Sequence, residues 1–334
     1  MVKAFVENDI ELDELVLHIA AAAGQLEILQ YFLGPEVNID PERIDASGRT
    51  VLHISVIAGE SEIVQYLLGP KVNANIAATD EEGKTALHRA ASKGYLDMVN
   101  NFLTREGADA SYVETKDYLG NTAIMDAASY GNLEVLKVLH KLTKSQYESE
   151  NVHRKYDDND EDRAEQTHHK HDHDDKHKKH DGKHKHKKHD CKHKHDHEHD
   201  DHDHDDHDHG IWTTNDKGKT TLHAAAKRGH VTVVNYLLAQ GIDIHVKRNN
   251  EDTPLHVATF NGRKDVVKVL LNKGASVMDK NHVGNTALHL AAMNGYIEIV
   301  VELLKEGAGL EQTNNNQKIP ADLAKNDTVR NLLK

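Results

Sequence analysis
The chain has 334 residues, 29% of them charged, and its formal net charge of −14 argues against nucleic acid as a partner. A single cysteine, Cys191, excludes an internal disulfide and suits a reducing, intracellular compartment, with the cytoplasm as the expected location and delivery into a host cell left open. No stretch reaches the ~18 consecutive apolar residues of a membrane-spanning helix, and the acidic residues scattered through the N-terminal segment do not read as a secretory signal.

Along the chain one phrase keeps returning: Leu, His, two small residues, a Gly shortly after, and then an apolar helix. It starts at Leu17-His18, Leu52-His53, Leu87-His88, Leu222-His223, Leu255-His256 and Leu288-His289, with adjacent copies 35, 35, 33 and 33 residues apart. Self-similarity at such a period is the signature of a stacked repeat array, in which each unit packs only on its neighbours. The first two units end in LGPEVN and LGPKVN, whose Gly-Pro pair should stop a helix sharply. In the third, a short helix is expected from Ala86 to Ser92 with Gly94 ending it, and Leu96, Met98, Val99, Phe102 and Leu103 then form a one-sided apolar stripe. A longer connection through Ala108 to Asp117 stretches the next step to 37 residues, and the fourth unit carries Met125 where the others have His. From Ile124 to the next motif leucine, Leu222, is 98 residues, so about 65 extra residues intervene, from roughly Thr143 to Gly210. The fifth, sixth and seventh units repeat the stripe at Val231 to Leu238, Val266 to Leu271 and Ile297 to Leu304, and a polar partial unit from Lys318 reads as a C-terminal cap.

The fuller copies, KTALHRAASKG, DTPLHVATFNG and NTALHLAAMNG, resemble the ankyrin-repeat family in both phrase and unit length. That resemblance implies an all-α repeat solenoid, a stack of helix-turn-helix units with β-turn fingers. It also implies that the motif histidines His53, His88, His223, His256 and His289, with the neighbouring Thr, hydrogen-bond the backbone of adjacent turns, and that a protein partner sits on the concave side. Carried over by position, the partner-binding candidates on the inner helices are Arg89 and Lys93, Asp126 and Tyr130, Lys227 and Arg228, Phe260 and Asn261, Met293 and Asn294. Tyr118 and Trp212 join them from the turn tips, with Asp216 and His282 beside them. Aromatic and arginine side chains dominate binding hot spots, which favours Trp212, Tyr130, Phe260 and Arg228. For Trp212 shielding of the turn beside the insertion is an equal alternative, and for Phe260 a packing role is the favoured one.

The insertion has a chemistry of its own. Between His168 and His209 it is almost wholly His, Lys and Asp, with 17 of the chain's 28 histidines, and its only apolar side chain is Cys191. Such a composition cannot bury a core and predicts disorder. Its first part, to His195, holds ten Lys against five Asp, and the rest holds eight acids and no Lys. Imidazoles at His-x-His spacing suit Zn, Ni or Cu, which makes His184, His186, His193, His195, His197, His199, His202, His204, His207 and His209 the candidate metal ligands. The same residues would charge together as pH falls from 7 to about 5. A preformed zinc finger is not indicated, because Cys191 has no second Cys beside it.

The expected organisation is repeats 1–4 over residues 1–142, the insertion over 143–210, and repeats 5–7 with the cap over 211–334, the two blocks forming one continuous stack. Neither cut end is polar enough to cap an isolated half, and lengthening a loop costs only ~0.6 kcal/mol per doubling. The chain contains no phosphate-binding Gly-rich loop, no G-x-S-x-G elbow and no H-E-x-x-H, so no enzyme is expected and no cofactor is required. Two readings follow: an interaction scaffold that binds another protein, or a metal-handling protein whose His-rich loop is the working part and whose array localises it. Oligomeric state is not legible.

Overall fold
From the second unit to the seventh, a threonine at the head and a glycine at the tail set the length of the inner helix. Thr50, Thr85, Thr122, Thr220, Thr253 and Thr286 hold extended backbone before helices Val51–Ala58, Ala86–Lys93, Ala123–Tyr130, Thr221–Arg228, Pro254–Phe260 and Ala287–Asn294. In units five and six the threonine hydroxyl accepts from the backbone N–H three residues on, at 3.4 Å from His223 and from His256. At the other end the chain must turn into the left-handed region, which costs glycine nothing; Gly94 does so at φ 77°. The computed structural model of the protein describes residues 15–105, 108–148 and 209–334.

Each inner helix is followed by an antiparallel outer one: Leu26–Leu33 after Val16–Ala22 in the first unit, then Ser61–Leu68, Leu96–Leu103, 133–148, Val231–Ala239, Lys264–Asn272 and Ile297–Lys305. The Gly-Pro pairs act as expected, Leu26–Leu33 and Ser61–Leu68 stopping at Gly34 and Gly69 in extended backbone. Neighbouring inner helices pack on one another through alanines with no exposed surface, among them Ala90, Ala91, Ala127, Ala128, Ala225, Ala226, Ala291 and Ala292. The outer stripes close the core with pairs such as Val99 and Phe102, Leu136 and Leu139, and Val267 and Leu270. After the seventh unit a 3₁₀ turn, Pro320–Leu323, and a last helix, Asp327–Leu332, bury Val329 and leave Lys325, Asp327 and Arg330 exposed.

Two elements depart from the sequence reading. The connection after the third unit contains a short helix, Ala110–Val113, because Asp109 accepts from Tyr112 N at 3.0 Å and starts a turn whose Tyr112 and Val113 are apolar enough to bury. The fourth outer helix does not stop near Thr143 but runs to the edge of the described residues at 148, since neither Gly nor Pro interrupts it. Thr143 itself is buried, its hydroxyl bonded to the Leu139 and His140 carbonyls.

The units are fastened in series by the motif histidines. In each of the second, third, fifth, sixth and seventh units the backbone N–H of the capping threonine donates to the imidazole Nδ1, at 3.3, 3.2, 3.4, 3.3 and 3.2 Å. That leaves the proton on Nε2, which donates one unit ahead: His53 to Lys84 O (3.0 Å), His88 to Asn121 O (3.2 Å), His223 to Asp252 O (2.9 Å), His256 to Asn285 O (3.1 Å) and His289 to Lys318 O (3.0 Å). His18 reaches Arg49 O in the same way, at 2.8 Å. Each of these carbonyls also takes a backbone N–H from its own turn, as Lys84 O does from Asp80 N. The turns touch in a second ladder, with Glu81 N on Ser47 O, Tyr118 N on Glu82 O, Asn249 N on Lys217 O, His282 N on Asn250 O and Asn315 N on Val283 O. Their approach is close: a Cβ on Gly83 would lie 2.8 Å from Tyr118 N.

The step across the insertion keeps the stacking and loses the fastener. Ala123–Tyr130 packs on Thr221–Arg228, Asp216 N donates to Leu119 O at 3.3 Å, and the amide of Asn215 donates to Asn121 Oδ1 at 3.0 Å. His230 Nε2 reaches Ser129 O at 2.9 Å, and Glu114 accepts from Gly210 N at 2.9 Å. Met125, fully buried, cannot donate, so Lys219 O accepts from Asn215 N and from no imidazole.

Two predictions follow from the fasteners. Burial holds the imidazoles of His53, His88, His223, His256 and His289 below the usual histidine range, His223 at about 4. Since the unfolded chain takes up these protons near pH ~6.5, their contribution is complete above that value and is lost as pH falls from there towards 4. Urea midpoints should therefore be flat from pH 8 to 7 and fall below 6.5, and a midpoint that rises on acidification contradicts the assignment. Met125→His supplies the missing donor to Lys219 O and should stabilise the folded protein by about 1 kcal/mol in urea unfolding. A loss of stability would show that the pocket is shaped for the thioether.

Candidate functional site
The side of the stack built from turn tips and inner-helix ends carries polar side chains in a regular frame. An open cleft of about 760 Å³ runs between the second and fourth units, with Arg49, Ile57, Glu82, Arg89, Lys93 and Tyr130 in its wall. Its charges are largely bound to each other. Arg89 sits on Asp80 at 2.5 Å and reaches Glu82 at 3.2 Å, and Arg49 sits on Asp45 at 2.6 Å. The Asp80 and Asp45 carboxylates also accept from the N–H groups of their own turns; burial opposes their ionisation, but the arginines and these bonds prevail and hold both below the usual range. Lys84 spans to Asp126 at 2.9 Å and Asp117 at 3.5 Å, and the two carboxylates outweigh burial to hold its pKa above the ordinary lysine value.

These bonds sort the candidate contact residues. Lys93, Tyr118, Tyr130, Lys227, Arg228, Phe260 and Met293 are exposed, Tyr118 at 70% and Phe260 at 54%. Tyr130 and Arg228 face each other across the fourth and fifth units, the guanidinium carbon 5.3 Å from the ring centroid, a cation–π contact. Arg89 is half-buried and tied to Asp80. Asp126 is buried under Lys84, so its carboxylate is already neutralised. Asn261 and Asn294 turn their amides back to Val257 O and Leu290 O, at 2.8 and 2.9 Å, where they close the ends of their own helices. Asp216 and His282 are exposed at turn tips.

Trp212 lies elsewhere. It belongs to a 3₁₀ turn, Gly210–Trp212, and its ring meets that of His140 edge-on at 5.4 Å, while His140 also meets Tyr236 edge-on at 6.3 Å. It therefore packs against His140 of the fourth outer helix, in keeping with the shielding alternative, beside a smaller cleft lined by Ile242 and Val246. Burial lowers the pKa of His140 there.

One residue escaped the sequence reading. Lys219 precedes the capping Thr220, in the position that Arg49 and Lys84 hold in their units. It is half-buried, and its pKa is lowered by burial and then by Lys227, Arg228 and Arg248, with Asp126 opposing. The signal was available, since Lys219 holds the same place before its capping threonine as Arg49 and Lys84 do before theirs, and those two face this side.

The family described as ankyrin repeats (3 copies) matches residues 1–80, 72–151 and 197–281, and the single ankyrin repeat matches residues 283–315. The chain belongs to the ankyrin-repeat family. No curated protein matches it. Ankyrin repeats support a role as a scaffold for protein–protein interaction and are generally non-enzymatic. No helix among the described residues is long and apolar enough to cross a membrane.

Of the candidate metal ligands, His184, His186, His193, His195, His197, His199, His202, His204 and His207 lie outside the described residues. His209 is described and half-buried, its carbonyl accepting from Trp212 N at 3.1 Å at the start of the 3₁₀ turn. Among the described residues no three His, Cys, Asp or Glu side chains are grouped as a metal site.

Proposed function
We propose that this ankyrin array is a non-enzymatic scaffold that seats a protein partner on its concave side, the side of the turn tips and inner-helix ends. The observation that carries the reading is a row of exposed side chains four or five residues after the motif position in successive units, Lys93 and Tyr130, Lys227 and Arg228, Phe260, and Met293, none of which helps fill the core. Other charged groups on this side, Arg49, Lys84 and Arg89, are bound to carboxylates of the stack. Large side chains that stay exposed beside arginine and lysine have the composition of binding hot spots. The scaffold is proposed to act as one stack, because the hydrogen bonds of Asn215, Asp216 and His230 support continuity across the insertion.

A second role, metal binding by the insertion, is supported by its composition: imidazoles repeated at His-x-His spacing among carboxylates are ligands for Zn, Ni or Cu. In this role the array localises a metal-handling loop.

A photo-crosslinking amino acid at position 260 of the full chain should capture a partner from extracts of the source cell, whereas the same group at position 62, exposed on an outer helix, should not. Equal capture at both positions removes the concave face from consideration. For the second role, isothermal titration of Zn²⁺ and Ni²⁺ should give saturable binding to the full chain that disappears on deletion of residues 145–210, with helical circular dichroism retained. Weak, non-saturating heats in the full chain would reduce the insertion to a spacer.

A further inference from the structure
The cations on the inner side fall into two groups. In the second and third units Arg49, Lys84 and Arg89 each rest on a carboxylate, Asp45, Asp126 and Asp80, and only the exposed Lys93 has no ion pair among the described residues. In the fifth unit Lys219, Lys227 and Arg228 have no carboxylate in ion-pair contact among the described residues. Asp126, the acid that acts on Lys219, is itself bound to Lys84 at 2.9 Å, and Asp252 is paired with Arg248. Lys219 reports the result, its pKa drawn below the ordinary lysine value by burial and by three neighbouring cations. Arg228 finds only the face of Tyr130. Gathering like charges destabilises the free protein, and an arriving anion relieves that repulsion.

The next two inner helices continue the row with different chemistry. Phe260 and Met293 occupy the register position of Lys227, four residues after His256 and His289 as Lys227 is after His223. Both are exposed, and Val257 and Leu290 are buried one turn before them. The face thus reads basic at the fifth unit and apolar at the sixth and seventh.

We propose that this face receives an acidic segment of a protein partner, with its carboxylates on Lys219, Lys227 and Arg228 and an aromatic or large aliphatic side chain against Phe260 and Met293. The assignment rests on the scaffold reading and adds the partner's chemistry and direction to it. A nucleic acid would suit the cations alone, but it would bring a dense phosphate charge to a chain of net charge −14 and leave the apolar half of the row unused.

The test is an unbiased peptide display selection on the full chain, followed by fluorescence anisotropy of the enriched peptides and of a labelled oligonucleotide. The expected result is enrichment of segments with two or more Asp or Glu beside an aromatic or aliphatic residue. Their affinity should fall about tenfold or more in Lys227→Glu/Arg228→Glu, fall in Phe260→Ala/Met293→Ala, and weaken with salt only while the cations are present. These side chains are exposed, and circular dichroism of each variant checks that the stack persists. Enriched peptides that are neutral or basic, yet lose binding in Phe260→Ala/Met293→Ala, overturn the acidic assignment and leave the scaffold reading standing. Peptides indifferent to both variants, or no enrichment at all, overturn both. Oligonucleotide binding tighter than that of any peptide, and lost on charge reversal, replaces the acidic protein segment with a nucleic acid.

Discussion
The bond on which this structure depends runs from an imidazole Nε2–H to a backbone carbonyl about thirty residues further on. It does three things at once. It fixes the inner-helix start, because Nδ1 must be deprotonated to accept the threonine N–H. It gives a buried carbonyl that already accepts one backbone N–H a second donor, a net gain of about 1 kcal/mol. It also joins two units that share little sequence-local contact, so that a short-range motif becomes a long-range stack. A lysine or glutamine in its place could supply one of these functions but not all, since only imidazole carries a donor and an acceptor on opposite sides of a rigid ring.

The neutral imidazole is therefore a structural requirement, and burial enforces it. Proton uptake at Nδ1 would turn an acceptor into a donor facing another donor, inside a region with little water to screen the charge. The one unit that lacks the ring is the one beside the insertion. There Met125 fills the same volume with an apolar side chain, and the join depends on turn-to-turn and side-chain bonds from Asn215, Asp216, His230 and Glu114. The seam that interrupts the sequence pattern is thus held differently from the other joins.

Much of this was legible in the chain. The 33-to-35-residue period gives the units, the Thr-Pro-Leu-His phrase gives helix starts and fasteners, and the Gly-Pro pairs give sharp ends. What sequence leaves open concerns side chains whose neighbours the local pattern does not name. Asp126 looks like a surface acid until Lys84, 42 residues earlier, is seen on it at 2.9 Å. Asn261 and Asn294 look like contact residues because a helix-closing amide and a partner-seeking amide are the same residue type. Trp212 was placed by its nearness to a turn motif, whereas the ring follows its own 3₁₀ turn to His140. Ala110–Val113 was missed because a helix so short has no period to read; only Asp109 as a capping residue announces it.

What separates fold from function on the inner side is whether a charge is already answered. Repeat arrays present the same helix positions in every unit, so position alone cannot say which of them meet a partner. Neutralisation can. Where Asp80 answers Arg89 and Asp126 answers Lys84, a partner must first displace an internal bond, and it gains only the difference between the two interactions. Where Lys227 and Arg228 stand close to Lys219 with no carboxylate in ion-pair contact among the described residues, no such exchange is required, and an incoming carboxylate also relieves repulsion among the cations. Phe260 and Met293 fit the same rule in apolar form, being exposed on ends of helices whose cores are already filled. The fifth to seventh units therefore present, on this face, cations and apolar side chains whose free energy is still to be recovered by a partner.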